Sequence, residues 1–160
     1  MSTKSTKTAV LERRQVLKGV GFGALALAGT GLASREALAT PEKATEYLAK
    51  MTGGAASKEG RVTVKLPEIA ENGRTVPITI SIDSPMTDND YVKSVFVVAE
   101  GNPSPEVISF TMSPAMGKAE VSTRMRLGKT QNVRAAAIMS DGSVFTGTKQ
   151  VKVTIGGCGG

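Results

Sequence analysis

In two stretches of this chain the apolar residues take every second position: Val62, Val64 and Leu66, then Val76, Ile78, Ile80 and Ile82. A period of two puts the apolar side chains of each stretch on one face of an extended strand, and an amphipathic helix cannot satisfy it. Further candidate strands cover 91–99, 106–112, 119–127, 132–140 and 143–155. The segments between them carry turn chemistry: Glu71-Asn72-Gly73, Asp88-Asn89-Asp90, Gly101-Asn102-Pro103, Ser113-Pro114 and Asp141-Gly142. The Asp-Gly pair predicts a two-residue hairpin. Pro77 has no amide proton to give to a ladder, which predicts an edge position or a bulge for its strand. About seven strands at this spacing predict an all-β fold, an antiparallel β-sandwich of immunoglobulin-like type. The Cys–Trp–Cys core of antibody domains is missing, since the chain has one Cys and no Trp.

One short helix precedes the strands. Thr40-Pro41 offers an N-cap followed by Pro at the first helical position, and Ala44, Tyr47, Leu48 and Met51 follow at helical spacing. Gly53-Gly54 then ends the run. The apolar stripe predicts a helix laid on the sandwich or on a partner.

Residues 1–39 read as an export leader. They are polar and basic up to Lys18, apolar and small from Gly19 to Ala33, and close on Ala37-Leu38-Ala39, a small-x-small cleavage site. The apolar run is shorter than the roughly 20 residues a membrane-spanning helix needs. Arg13-Arg14, followed by Leu17 and Lys18, resembles a twin-arginine export signal, with departures at Glu12 and Val16. The expectation is cleavage between Ala39 and Thr40 and residence in a bacterial periplasm, with no membrane span in the mature chain. The leader carries six basic and two acidic residues, which leaves 14 basic against 12 acidic on residues 40–160. The basicity is therefore mostly the leader's and does not point to nucleic acid.

Composition removes several chemistries. With no His and a single Cys, the chain can build neither a His-based triad nor a multi-thiolate metal site. Neither a P-loop nor a dinucleotide fingerprint occurs, so neither catalytic residues nor metal ligands nor a cofactor are assigned to it. Asp83, Asp88, Asn89 and Asp90 do not have calcium-loop spacing and read as a solvated turn. Arg124, Arg126 and Arg134 lie on candidate strands and offer a basic stripe, although an ordinary polar face is the better reading. Met112, Met116, Met125 and Met139 read as core and interface filling.

The chemistry is at the end. After the alternating Val151, Val153 and Ile155 come Gly156-Gly157-Cys158-Gly159-Gly160. Glycine offers no side chain to pack and no steric limit on φ, so these residues predict a thin, flexible arm over 156–160. Fully extended, it reaches about 17 Å beyond Ile155. In an oxidising compartment an unpaired cysteine is either joined to another molecule or reactive. The nearest cation in sequence is Lys152, six residues back. Two readings stay open on the residues alone: a thiol that carries substrate, or a β-sandwich assembly or adhesion module whose Cys158 forms an interchain disulfide.

The glycine-flanked terminal cysteine, behind a Val/Ile-rich strand and a twin-arginine leader, resembles the SoxY family, the sulfur-carrier subunits of periplasmic thiosulfate oxidation. The resemblance implies that Cys158 attaches the substrate covalently and that Gly156, Gly157, Gly159 and Gly160 form its swinging arm. It implies a carrier that is not itself an enzyme. It further implies a heterodimer with a SoxZ-like second small β-sandwich subunit. Transient partners would be a c-type cytochrome enzyme, a manganese hydrolase and a molybdenum dehydrogenase, with sulfur anions as the covalent ligands.

Overall fold

A computed structural model describes residues 40–157. Helix α1, Pro41–Met51, starts as the sequence predicts: the Thr40 side chain accepts from the Lys43 amide, and Pro41 occupies the first turn. Past its last turn, Gly53 and Gly54 take positive φ, and the Gly54 amide bonds back to the Ala49 carbonyl at 2.7 Å.

Nine strands follow: β1 Ser57–Glu59, β2 Val62–Lys65, β3 Ile69–Asn72, β4 Val76–Ile82, β5 Val92–Ala99, β6 Glu106–Thr111, β7 Glu120–Met125, β8 Gln131–Met139 and β9 Val144–Ile155. They form two layers. The larger sheet runs β1-β9-β8-β5-β6, with β3 also on β9, and the smaller runs β2-β4-β7. The expected β-sandwich is present, with seven of its strands close to the predicted bounds. The other two, β1 and β3, pair in parallel with the two ends of β9, so the sheet is not wholly antiparallel.

The layers enclose the alternating residues. Ile78, Ile80 and Ile82 of β4 face Val95, Val97, Val133, Ala135 and Val151 of the larger sheet in one core. The opposite face of that sheet is covered as well: Ala44 and Leu48 of α1 pack with Phe96, Val98, Ala136 and Val144. Burial on both faces explains why Val95–Ala99 is continuously apolar, as happens where sheets are covered twice. Met112, Met125 and Met139 lie in the core, while Met116 is half exposed.

Two local expectations need correction. Pro77 does not mark an edge strand, because β4 is the central strand of its sheet. The β2 ladder, however, ends at Lys65 opposite Thr79, so Pro77 pairs only with Arg124 of β7 and its missing amide proton costs no bond on the open side. The β8–β9 hairpin is not a two-residue turn. Gly142 bonds to the Met139 carbonyl and Met139 to the Ser143 carbonyl, and only Gly142 of the Asp-Gly pair has positive φ (84°). That is a three-residue loop closed by a left-handed glycine, and a type I′ turn would need both residues there.

Candidate functional site

The last strand delivers the tail to a backbone junction. The Gly73 amide, in the β3–β4 turn, donates to the Ile155 carbonyl (2.7 Å); the Leu127 amide donates to the Gly73 carbonyl (2.8 Å); and the Gly157 amide donates to the Leu127 carbonyl (2.8 Å). The turn itself is shaped by Asn72, whose side chain accepts from the Arg74 amide at 2.9 Å. Three segments thus meet through main-chain atoms alone, and they meet too closely for side chains. A Cβ on Gly73 would lie 2.2 Å from the Leu127 oxygen, one on Gly156 2.3 Å from the Gly128 oxygen, and one on Gly157 2.1 Å from the Gly73 oxygen. Gly156 and Gly157, the first two residues of the predicted arm, thus also belong to this junction, to which their missing side chains admit them.

A buried amide pair holds the Arg126–Lys129 segment in place. The Asn102 Oδ1 accepts from the Gly128 amide and from Gln131 Nε2, each at 3.0 Å, while Asn102 Nδ2 donates to the Arg126 carbonyl at 2.9 Å. Gln131 completes the set by accepting from the Gly101 amide at 2.6 Å and donating to the Lys129 carbonyl at 3.0 Å. Both side chains are buried, and every hydrogen-bonding atom they bury is used. In the sequence Asn102 is turn punctuation, and Gln131 stands out in no motif. Gln131 stands one residue before a predicted strand, and that position is its only signal.

The remaining candidates separate. Arg13, Arg14, Ala39, Cys158, Gly159 and Gly160 lie outside the described residues. Arg134 does not join Arg124 and Arg126: it pairs with the buried Glu100 and donates to Thr45 Oγ1 at 3.1 Å on the α1 side of the larger sheet. Asp90 is held by Arg61 Nη2 at 3.0 and 3.2 Å, and the Arg61 Nε donates to the Asp83 carbonyl at 2.6 Å, so part of the acidic turn is tied down by a guanidinium. Among the described residues no group of three or more His, Cys, Asp or Glu side chains is placed to hold a metal ion.

Residues 48–158 match the profile of the family described as "Sulfur oxidation protein SoxY". The sulfur carrier protein SoxY from Chlorobium limicola f thiosulfatophilum has a similar structure, with 35% sequence identity and a TM-score of 0.61 over 71% of this chain and 98% of that one. The chain belongs to the SoxY family. The SoxY match spans α1 from Leu48 onward, all nine strands and the tail as far as Cys158. A superoxide reductase (neelaredoxin) from Ignicoccus hospitalis shares the fold at 17% identity and TM-score 0.53, covering 71% of this chain and 92% of that one. A putative superoxide reductase from Thermotoga maritima does so at 15% identity and TM-score 0.52, covering 61% and 93%. At those identities the likeness concerns architecture and carries no activity over to a SoxY chain. No curated protein sequence matches this one.

Proposed function

We propose that this chain is the covalent sulfur carrier of a periplasmic sulfur-oxidising system, a substrate-bearing subunit and not a stand-alone enzyme. The observation that carries the reading is the reach of the family match, which extends through the glycine tail to residue 158. Cys158 is then the attachment point, and Gly157, Gly159 and Gly160 leave its neighbourhood slim enough to enter a partner's site.

In the first step the Cys158 thiol and thiosulfate lose one proton and two electrons to an external acceptor, the role of a c-type cytochrome. A sulfur–sulfur bond forms and leaves Cys–S–S–SO3−. Water then cleaves the bond to the sulfonate sulfur, the role of a manganese hydrolase, giving sulfate, a proton and the persulfide Cys–S–SH. A molybdenum dehydrogenase acts on that remaining sulfur. A SoxZ-like β-sandwich subunit forms the stable heterodimer. A free thiol with pKa near 8.5 is only a few per cent thiolate at pH 7.

The export reading belongs to the same proposal. The twin-arginine leader of residues 1–39 is removed between Ala39 and Thr40, and N-terminal sequencing of periplasmic protein reads Thr40-Pro41-Glu42. That bond lies next to the Thr40 cap of α1.

Mass spectrometry of the C-terminal peptide from native protein tests the carrier role. Adducts of sulfur, sulfite or thiosulfate are expected on Cys158, and Cys158→Ser should fold normally yet abolish thiosulfate-dependent turnover in the reconstituted system. A tail found only as an interchain disulfide, or full activity in the serine variant, overturns it.

A further inference from the structure

The tail leaves the sandwich beside a basic groove. Arg74 of the β3–β4 turn, Arg124 of β7 and Arg126 just beyond it line one cavity of about 520 Å3 with Asn102, Val107 and Ile108. All three arginines are exposed, and none forms an ion pair among the described residues. Glu106 is the one carboxylate in the lining. It also faces Tyr47, whose phenol is raised above its ordinary 10.0 by burial first and by that carboxylate second. Three guanidinium groups against one carboxylate leave the groove positive by two charges. The guanidinium is the side chain best shaped to grip an oxyanion through paired N–H bonds.

Position is the second part of the argument. Arg126 immediately precedes Leu127, the residue that holds the Gly157 amide, and Arg74 immediately follows Gly73, which bonds to Ile155 and Leu127. Covalent geometry keeps the next α-carbon about 3.8 Å from that of Gly157. While the Gly157 bond is closed, a negatively charged group attached at residue 158 is thereby tethered close to the segments that carry Arg74 and Arg126.

We propose that the Arg74–Arg124–Arg126 groove is a docking site for the sulfonate of an adduct carried on Cys158. This rests on the carrier reading and adds to it a parking place on the carrier's own surface. A sulfonate-bearing adduct is held against the sandwich, and the uncharged thiol has no hold there. The contact is between exposed charges, so salt weakens it.

The test compares two adducts on the full chain. In the first, the Cys158 thiolate displaces thiosulfate from tetrathionate and leaves Cys–S–S–SO3−. In the second, it displaces methanesulfinate from methyl methanethiosulfonate and leaves neutral Cys–S–S–CH3. Mass spectrometry confirms each loading, and NMR follows the Nε–H resonances of the three arginines. The anionic adduct should shift them, the neutral one should not, and the shift should be lost in high salt. In the double variant Arg74→Gln, Arg126→Gln, whose remaining spectrum reports an intact fold, the Arg124 shift should be lost too. Equal shifts from both adducts, or none from either, overturn the docking site and leave the carrier reading standing. Failure of Cys158 to take either adduct removes the thiol chemistry under both.

Discussion

The Gly157 amide donates to the Leu127 carbonyl at 2.8 Å, and a Cβ on Gly157 would come within 2.1 Å of the Gly73 oxygen. The tail therefore does not begin where β9 ends. Two of its glycines belong to the domain, joined to it by atoms that every amino acid has, in a space that only glycine can enter.

Gly73→Ala tests that junction. The added methyl meets backbone on two sides, the Leu127 oxygen at 2.2 Å and the Gly157 nitrogen at 2.7 Å, and backbone cannot rotate away. Overpacking of this kind costs about 1–3 kcal/mol, seen as a lower urea midpoint. Gly156→Ala should leave the midpoint closer to wild type and instead speed hydrogen exchange at the Gly157 amide. Wild-type exchange there in both variants would refute the close approach.

Asn102→Ala and Gln131→Ala should each destabilise by about 1–3 kcal/mol, since each leaves buried donors and acceptors unmatched. Their effects should not add, because the residues share the 3.0 Å bond between Gln131 Nε2 and Asn102 Oδ1. A double-mutant cycle in urea measures the coupling, and strict additivity counts against the network.

Leu48→Ala should cost about 2–3 kcal/mol, toward the low end for a buried leucine because α1 can partly settle into the space. Leu48 packs with Phe96, Val98, Ala136 and Val144 on the outer face of the larger sheet. A thermal melt that falls by only a degree or so would mean that α1 contributes little to the domain on its own.

Asp141 accepts from the Ser143 side chain at 2.6 Å and from its amide at 2.8 Å, and these bonds hold its carboxyl below the ordinary value of 3.8. A depressed native value means that the carboxylate's stabilising effect is complete above the unfolded value. It is lost as pH falls through the native one. Asp141→Asn should therefore differ from wild type near neutrality and converge with it as pH drops below 3.8. An NMR titration placing Asp141 at or above its ordinary value would reverse the sign.

What could be read from the residues was whatever repeats locally. The alternation of Val76–Ile82 located β4 to the residue, and the Thr40 cap with its helical stripe located the start of α1. β1 and β3 escaped because they have three and four residues, and Ala70 is the only one of these to be buried. Their pairing with β9 is a long-range contact that leaves no periodic trace. The arginines divided for a similar reason. Reading along strands grouped Arg124 and Arg126 with Arg134, which the structure places on the other sheet. Arg74 came from a turn that only topology brings beside them. Lys152 was the nearest cation in sequence, whereas in space the residues holding Gly157 are flanked by Arg74 and Arg126.

Anchoring at Gly157 also sets a working radius. Measured from Ile155, five extended residues suggest a long reach; measured from Gly157, the α-carbon of Cys158 lies one link away, about 3.8 Å. A partner enzyme whose reactive centre is shallow can be served with the Gly157–Leu127 bond intact, provided it fits against the Gly73–Leu127 junction. One with a deep channel must first break that bond, trading a hydrogen bond worth about 1 kcal/mol for added length. On the carrier reading, access depth then sorts the enzymes that would act on Cys158.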